Sequence, residues 1–175
     1  MTIRTRQAAA GLIALAGLAA LPAHAEGLYA GGALGTPRYP DAVNGISGNG
    51  SGLSGKLFGG YQFTPNLSLE TGFAGLGHID DGSGRVSGRA AYLDLLGTLP
   101  LNDKWSALGR LGVAHVKLDS STGDSSGSGP KLGLGLQYAL TTNVALRGEW
   151  ERYHPSVFGE KPNIDQYTLG FRVGF

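Results

Sequence analysis

The ten residues Gln166-Tyr167-Thr168-Leu169-Gly170-Phe171-Arg172-Val173-Gly174-Phe175 alternate in character without a break. Successive side chains of an extended strand point to opposite faces. Tyr167, Leu169, Phe171, Val173 and Phe175 therefore share one face, and Thr168, Gly170, Arg172 and Gly174 share the other. A face of large apolar residues backed by one of small and polar residues suits a strand with lipid outside and a crowded polar interior. That is the requirement of a transmembrane β-barrel.

The opposite end of the chain points to export. Arg4 and Arg6 precede an apolar run over residues 8–21, and Pro22 with Ala23-His24-Ala25 supplies a helix breaker and a small-x-small cleavage site. Residues 1–25 read as a signal peptide, because the 14-residue run is shorter than the roughly 20 residues a spanning helix needs. Residues 26–175 are then expected to form one barrel domain. Losing Arg4 and Arg6 takes the basic residues from 14 to 12 against 13 acidic ones, a net of about −1, which leaves no basic footprint for nucleic acid. Charged residues make up only 15% of the chain and glycines number 31, well away from an ordinary soluble surface. The chain has no cysteine, which excludes a disulfide framework and a thiolate metal site. Beyond the signal no apolar run is long enough for a spanning helix.

Residues 26–175 divide into eight stretches with period-two alternation, at 27–34, 52–62, 67–76, 89–99, 105–118, 129–139, 144–153 and 166–175. Each is close to the length a tilted strand needs to cross a bilayer. The connections alternate: 63–66, 100–104 and 140–143 are tight, whereas 35–51, 77–88, 119–128 and 154–165 are longer and rich in Gly, Ser, Asn and Asp. Short turns on one side and long loops on the other are the arrangement of an outer-membrane barrel. The expected fold is all-β, an eight-stranded antiparallel up-and-down transmembrane barrel.

Composition assigns the two faces. One phase collects Leu57, Tyr61, Leu67, Leu69, Phe73, Leu93, Leu95, Leu111, Val113, Leu132, Leu134, Leu136, Tyr138, Val144, Leu146 and Trp150, too much bulk for the interior of eight strands. The other carries many glycines with Lys56, Glu70, Asp94, Arg110, Lys131, Arg147, Glu149, Glu151 and Arg172. This nearly balanced set is expected to form an enclosed salt-bridge network, since an unpaired charge in a confined interior costs several kcal/mol. Tyr61, Phe63, Trp105, Tyr138 and Phe175 fall at turn-side strand ends and Trp150 and Tyr167 toward the loops, the positions of interfacial girdles. Arg89, Lys117 and Arg152 lie on the lipid-facing phase at loop-side ends, where outer-leaflet phosphates of lipopolysaccharide would meet them.

With these residues in view, the chain resembles the eight-stranded transmembrane domain of the outer membrane protein A-like group. The resemblance runs over residues 26–175 and is most specific at Gly59-Gly60-Tyr61-Gln62-Phe63, Asn66-Leu67-Ser68-Leu69-Glu70, Arg147-Gly148-Glu149-Trp150-Glu151-Arg152-Tyr153 and the closing strand. Within that strand Thr168, Gly170, Val173 and Phe175 look like the carboxyl-terminal signal read by the outer-membrane assembly machinery. The resemblance implies a bacterial outer-membrane location, a monomer and a plugged interior. The longest members append a peptidoglycan-binding domain; with nothing after Phe175, cell-wall anchoring is not expected here.

Three functional readings follow. The first is a structural or surface-recognition role through four extracellular loops, whose polar composition leaves their ligand unspecified. The second is a narrow porin, in which the interior charges line a path for small solutes or ions. The third is a lipid A-modifying hydrolase, suggested by His154 and Ser156 with Asp165 and Glu160 nearby, because a lipid A deacylase of the same barrel size works with a lipid-facing His and Ser at similar spacing. Against it, Pro155 interrupts the strand, and Val157 stands where such enzymes carry asparagine. His78-Ile79-Asp80-Asp81 is a weak metal candidate, since an acidic turn looks the same, and no metal or cofactor is expected. The Gly133-Leu134-Gly135 stretch lies inside a strand with no helix after it and carries no dinucleotide site. Residues 119–128 read as a plain Ser/Gly loop.

Overall fold

The structure, a computed structural model, describes residues 27–40, 53–80, 85–120, 123–157, 159 and 161–175. The expected signal segment 1–25, Asp81 and Glu160 lie outside these residues. Among the described residues there are eight strands: β1 (Leu28–Arg38), β2 (Ser54–Thr64), β3 (Leu67–Asp80), β4 (Arg85–Pro100), β5 (Trp105–Ser120), β6 (Gly123–Ala139), β7 (Val144–Tyr153) and β8 (Ile164–Gly174). Each pairs antiparallel with its sequence neighbour, and β1 pairs with β8 from Tyr29↔Gly174 to Arg38↔Asp165, which closes the barrel. Closure gives every strand two partners, so no backbone edge faces hydrocarbon.

The turn side is built by local side-chain chemistry. Asn102 Oδ1 accepts hydrogen bonds from the backbone N–H of Lys104 (3.0 Å) and Trp105 (2.9 Å) and so turns β4 into β5. Thr141 Oγ1 does the same for Asn143 (3.3 Å) and Val144 (3.0 Å) between β6 and β7. Asn143 is in turn tied to Gly174 at the end of β8, through its side chain and backbone. These are the small polar residues that offer the chain a turn in place of ladder bonds.

The loop side departs from the sequence expectation. The segments 77–88 and 119–128, read as loops from their polar composition, are mostly strand: β3 and β4 stay paired out to Asp80↔Arg85, and β5 and β6 out to Ser120↔Gly123. The β3 ribbon absorbs a bulge between Gly75 and His78, where Gly77 takes a left-handed φ of 67°. The Ser/Gly run has a packing reason as well. Beyond Tyr153 the chain continues along β6, with His154 N–H donating to Pro130 O (3.1 Å) and Ser156 N–H to Ser128 O (3.4 Å). A Cβ on Gly127 or Gly129 would sit 1.6 Å from Ser156 O or 1.9 Å from His154 O, so glycine lets the two segments touch. β1 also runs four residues past its expected end, which puts Arg38 on the outward phase.

The two faces separate sharply. Outward Phe73 and Leu134 are 74% and 64% exposed, whereas inward Glu70 and Lys131 are fully buried. At the seam a Cβ on Gly170 would lie 2.2 Å from Gly32 O and 2.4 Å from Ala33 Cα. On the outward face of β7, a Cβ on Gly148 would meet nothing nearer than Leu169 Cδ1 at 3.9 Å. Gly170→Val should therefore cost about 3 kcal/mol or more by overpacking the seam, and Gly148→Val should stay within about 0.5 kcal/mol of wild type. Urea unfolding of barrels reconstituted in lipid vesicles measures both; equal losses would show that the β1–β8 seam is no tighter than the rest of the wall.

Candidate functional site in the barrel interior

Strand parity sends one side chain in two into the lumen, and at mid-height those side chains are ionic. Arg110 on β5 is the hub. Its Nη1 lies 2.9 Å from Glu70 Oε1, 3.0 Å from Asp94 Oδ2 and 2.9 Å from Glu151 Oε1, and its Nη2 binds Glu149. Lys56 Nζ bridges Glu149 (2.5 Å) and Glu151 (3.0 Å), and Lys131 Nζ bridges Asp94 and Glu151 (2.6 Å). Arg147 Nη1 reaches Glu70 Oε2 at 2.8 Å, with its Nε on Gln137 Oε1 at 2.9 Å. Four cations thus meet four carboxylates, all buried. The fork of a guanidinium and the four acceptor sites of a carboxylate allow this many shared contacts.

Aromatic rings line the network. Lys131 Nζ sits 4.0 Å from the centre of the Tyr92 ring and 5.3 Å from that of Tyr153. The Arg147 guanidinium lies over Phe58 (5.3 Å) and Tyr29 (5.5 Å), and Tyr29 donates its hydroxyl to Glu70 at 3.2 Å. Ring faces attract cations where water is excluded. Glycines make the room: a Cβ on Gly133 would sit 2.9 Å from Arg110 Cγ, and one on Gly60 2.4 Å from the Tyr29 hydroxyl.

Toward the loop side the lumen changes character. Leu76, Val116, Leu118, Val157 and Ile164 cluster with Tyr39 and Tyr153, all buried. The Tyr39 hydroxyl is satisfied by Leu76 O at 2.8 Å, and the Tyr153 hydroxyl by Gln166 Oε1 at 3.1 Å. An apolar cluster, the stopper, therefore lies on the loop side of the ionic tier.

Of the nine interior charges named from sequence, eight come together and one does not. Arg172, expected within that network, instead donates to Gln62 Oε1 (2.8 Å) and stacks on Tyr29 at 4.2 Å, near the turn side. The reason is position: Arg172 pairs with Gly31 low on β1, and Arg147 already occupies the near side of Glu70. The inward aromatics Tyr29, Phe58, Tyr92 and Tyr153 and the stopper were missed. Their parity was available, since each lies on the same phase as a named charge on its strand or next to a lipid-facing neighbour.

The other candidates fall as follows. Thr168 and Gly170 are buried in the β8 inner face, with Val173 and Phe175 on the outward phase. Arg89 and Lys117 stand outside, with Arg89 2.7 Å and Lys117 3.4 Å from Asp119, and Lys117 3.9 Å from Asp124. Arg152 clasps Asp165 through two hydrogen bonds of 2.6 and 2.8 Å and lies over Trp150 at 5.3 Å. His154 Nδ1 is 3.0 Å from Asn163 Oδ1, and Ser156 is exposed one position along the same phase. Asp165, the carboxylate that would orient a histidine base, is committed to Arg152. The His78 turn lies partly outside the described residues.

The family profile described as outer membrane protein beta-barrel domain matches residues 8–175. The chain belongs to that family. Outer membrane protein A of Klebsiella aerogenes is 32% identical over 186 residues, covering 93% of this chain and 53% of that protein. The chain thus spans about half the length of the curated relatives it matches. Neisserial surface protein A superposes with a TM-score of 0.67 at 16% identity, over 85% of this chain and 97% of that one. The amino-terminal β-barrel domain of OprF from Pseudomonas aeruginosa gives 0.57 at 16% identity, over 83% and 97%. At that identity the likeness is one of fold, and together these findings locate the family member in a bacterial outer membrane.

Because Arg110 touches all four carboxylates of the interior tier, Arg110→Met should cost about 3–5 kcal/mol by leaving buried charge unpaired. Arg172→Ala, which loses one hydrogen bond and one ring contact, should cost about 1–2 kcal/mol. Urea midpoints in lipid vesicles give both values, and a smaller loss for Arg110→Met than for Arg172→Ala would reverse the ranking of hub and outlier.

Proposed function

We propose that this outer-membrane barrel is closed to solutes and serves a structural and surface-presenting role, with its loop side as the recognition surface. The observation that carries the reading is the stacking of two seals in one lumen. The ionic tier of Lys56, Glu70, Asp94, Arg110, Lys131, Arg147, Glu149 and Glu151 is fully cross-paired, and the stopper of Leu76, Val116, Leu118, Val157 and Ile164 closes it toward the outside. An ion crossing the barrel would have to break several buried pairs and then enter hydrocarbon. The monomeric state and the absence of chemistry at His154 and Ser156 belong to the same reading.

Arg89, Lys117 and Arg152 are proposed to touch phosphates of outer-leaflet lipopolysaccharide, where charge-assisted hydrogen bonds are strongest. Residues 1–25 are proposed as the export signal, and Thr168, Gly170, Val173 and Phe175 as the sequence handed to the assembly machinery. Any ligand of the loop side engages it on top of these functions.

Refolded barrel in planar bilayers should give no stable openings. Stable channels that disappear on neutralising Arg147 or Glu149 would establish the narrow-porin alternative. Deleting Phe175 should lower outer-membrane insertion in cells several-fold while leaving refolding from urea into vesicles within about 1 kcal/mol of wild type. Normal insertion without Phe175 would remove it from the assembly signal.

A further inference from the structure

The outward face of β6, β7, β8 and β1 is not uniform. Register arranges its side chains in rows that cross the four strands. One row reads Leu132, Arg152, Asp165, Arg38; the next toward the turn side reads Leu134, Trp150, Tyr167, Thr36; the third reads Leu136, Gly148, Leu169, Leu34. The third row has a gap at Gly148. Around it lies an open groove of ≈ 710 Å³, walled by Leu34, Leu134, Leu136, Trp150, Tyr167 and Leu169. The top row carries two arginines and one carboxylate, a net single positive charge on the lipid-facing surface.

We propose that this face is a lipid site in which Arg38 and Arg152 hold a phosphate of an outer-leaflet phosphorylated glycolipid and the groove at Gly148 holds one of its acyl chains. The inference rests on the outer-leaflet contact proposed above for Arg152 and adds Arg38, the groove and a defined stoichiometry. Arg38 and Arg152 lie two strands apart, about 10 Å between their backbones, which lets two arginine side chains converge on one phosphate. Asp165 fixes the Nε and Nη2 edge of Arg152, so that guanidinium is held in place before any lipid arrives. Arg38 on the other side of Asp165 is exposed. Each row lies about 7 Å below the one above it, so the groove begins where the first methylenes beneath a phosphate would run. Trp150 and Tyr167 flank the passage from head to tail, the level at which aromatic rings favour a membrane interface.

A second groove on the same barrel has outward walls without charge and serves as a comparison. It measures ≈ 480 Å³ and is walled by Leu67, Leu95, Leu111, Leu132 and Leu134 around Gly97 and Gly109. Its outward row Leu67-Gly97-Gly109-Leu134 and the adjoining Leu99-Ala107 pair hold no charged residue, and the row Leu95-Leu111-Leu132 reaches a charge only at Arg152 on β7, beyond the groove. A Cβ on Gly109 would meet nothing within 4 Å, so a leucine there fills this groove as harmlessly as one at Gly148 fills the first.

The test uses the full chain expressed in cells, purified from outer membranes in mild detergent and analysed by native mass spectrometry, with lipopolysaccharide as the probe. Wild type should retain one lipopolysaccharide per barrel. Gly148→Leu and Arg38→Gln should each lower retention at least ten-fold, and Gly109→Leu should leave it unchanged, all three keeping the heat-dependent gel shift of a folded barrel. Lipopolysaccharide stripped of its phosphates should fail to rebind, and phosphatidylglycerol should fail to displace the intact lipid. Equal losses from Gly148→Leu and Gly109→Leu would reduce the site to ordinary annular lipid, and displacement by phosphatidylglycerol would overturn the glycolipid assignment. Retention that survives Arg38→Gln and Gly148→Leu but falls on neutralising Arg89 and Lys117 would refute this site while sparing the broader outer-leaflet contact. Absence of any bound lipopolysaccharide would refute both.

Discussion

The β1–β8 ladder is the constraint from which the rest of this molecule follows. Hydrocarbon offers no hydrogen-bond partner to a strand edge, so an antiparallel sheet in a bilayer is stable only when its last strand returns to its first. Here that return runs over ten residue pairs, from Tyr29↔Gly174 to Arg38↔Asp165. With eight strands the enclosed space is about as wide as the side chains that line it. Every inward position then competes for the same volume. Glycine at Gly60 and Gly133 yields that volume to Tyr29 and Arg110, so the high glycine content reflects packing across a narrow core.

Filling that core with ions solves a problem of orientation. A one-residue slip of any strand exchanges its two faces. If both faces were apolar, the slip would cost little, and the barrel would be poorly specified. With Lys56, Arg110, Lys131 and Arg147 inside, an inverted strand places a cation in lipid, at about 2–4 kcal/mol near the midplane. The pairs themselves add little net stability, because desolvation offsets much of their attraction. Balance of four against four matters more, since each charge then has a partner within the same tier.

The strands and their facing were legible in the sequence because both depend on local alternation, as at Tyr167 to Phe175. Partners were not, because they depend on how eight registers accumulate around a ring. Lys56 and Glu149 are 93 residues apart and come from β2 and β7, which share no ladder; only closure brings them to 2.5 Å. Arg172 failed for the same reason, lying too near the turn side to share in the tier. The residues 119–128 failed differently. Their Ser, Gly and Asp content is that of a loop, yet Gly127 and Gly129 are small because the chain after Tyr153 presses against them. Composition cannot distinguish a glycine kept for flexibility from one kept for contact.

That contact changes what the loop side is. β5 and β6 contain 16 and 17 residues against 10 in β7, so their ladder runs about 20 Å further along the strand direction than β7 itself, and less than that in height because the strands of such barrels tilt. The taller wall does not stand alone. Val116 and Leu118 on its inner face belong to the same buried cluster as Tyr39, Val157 and Ile164, which come from the shorter side. The apolar cluster at the loop side therefore also braces the extended β5–β6 sheet. A braced sheet loses little conformational freedom when something binds to it, so the recognition role proposed for this surface would draw on a pre-ordered wall, at lower entropic cost than mobile loops would impose. In the proposed role sealing and presentation are thus one packing problem, and loosening the cluster at Leu118 would weaken both together.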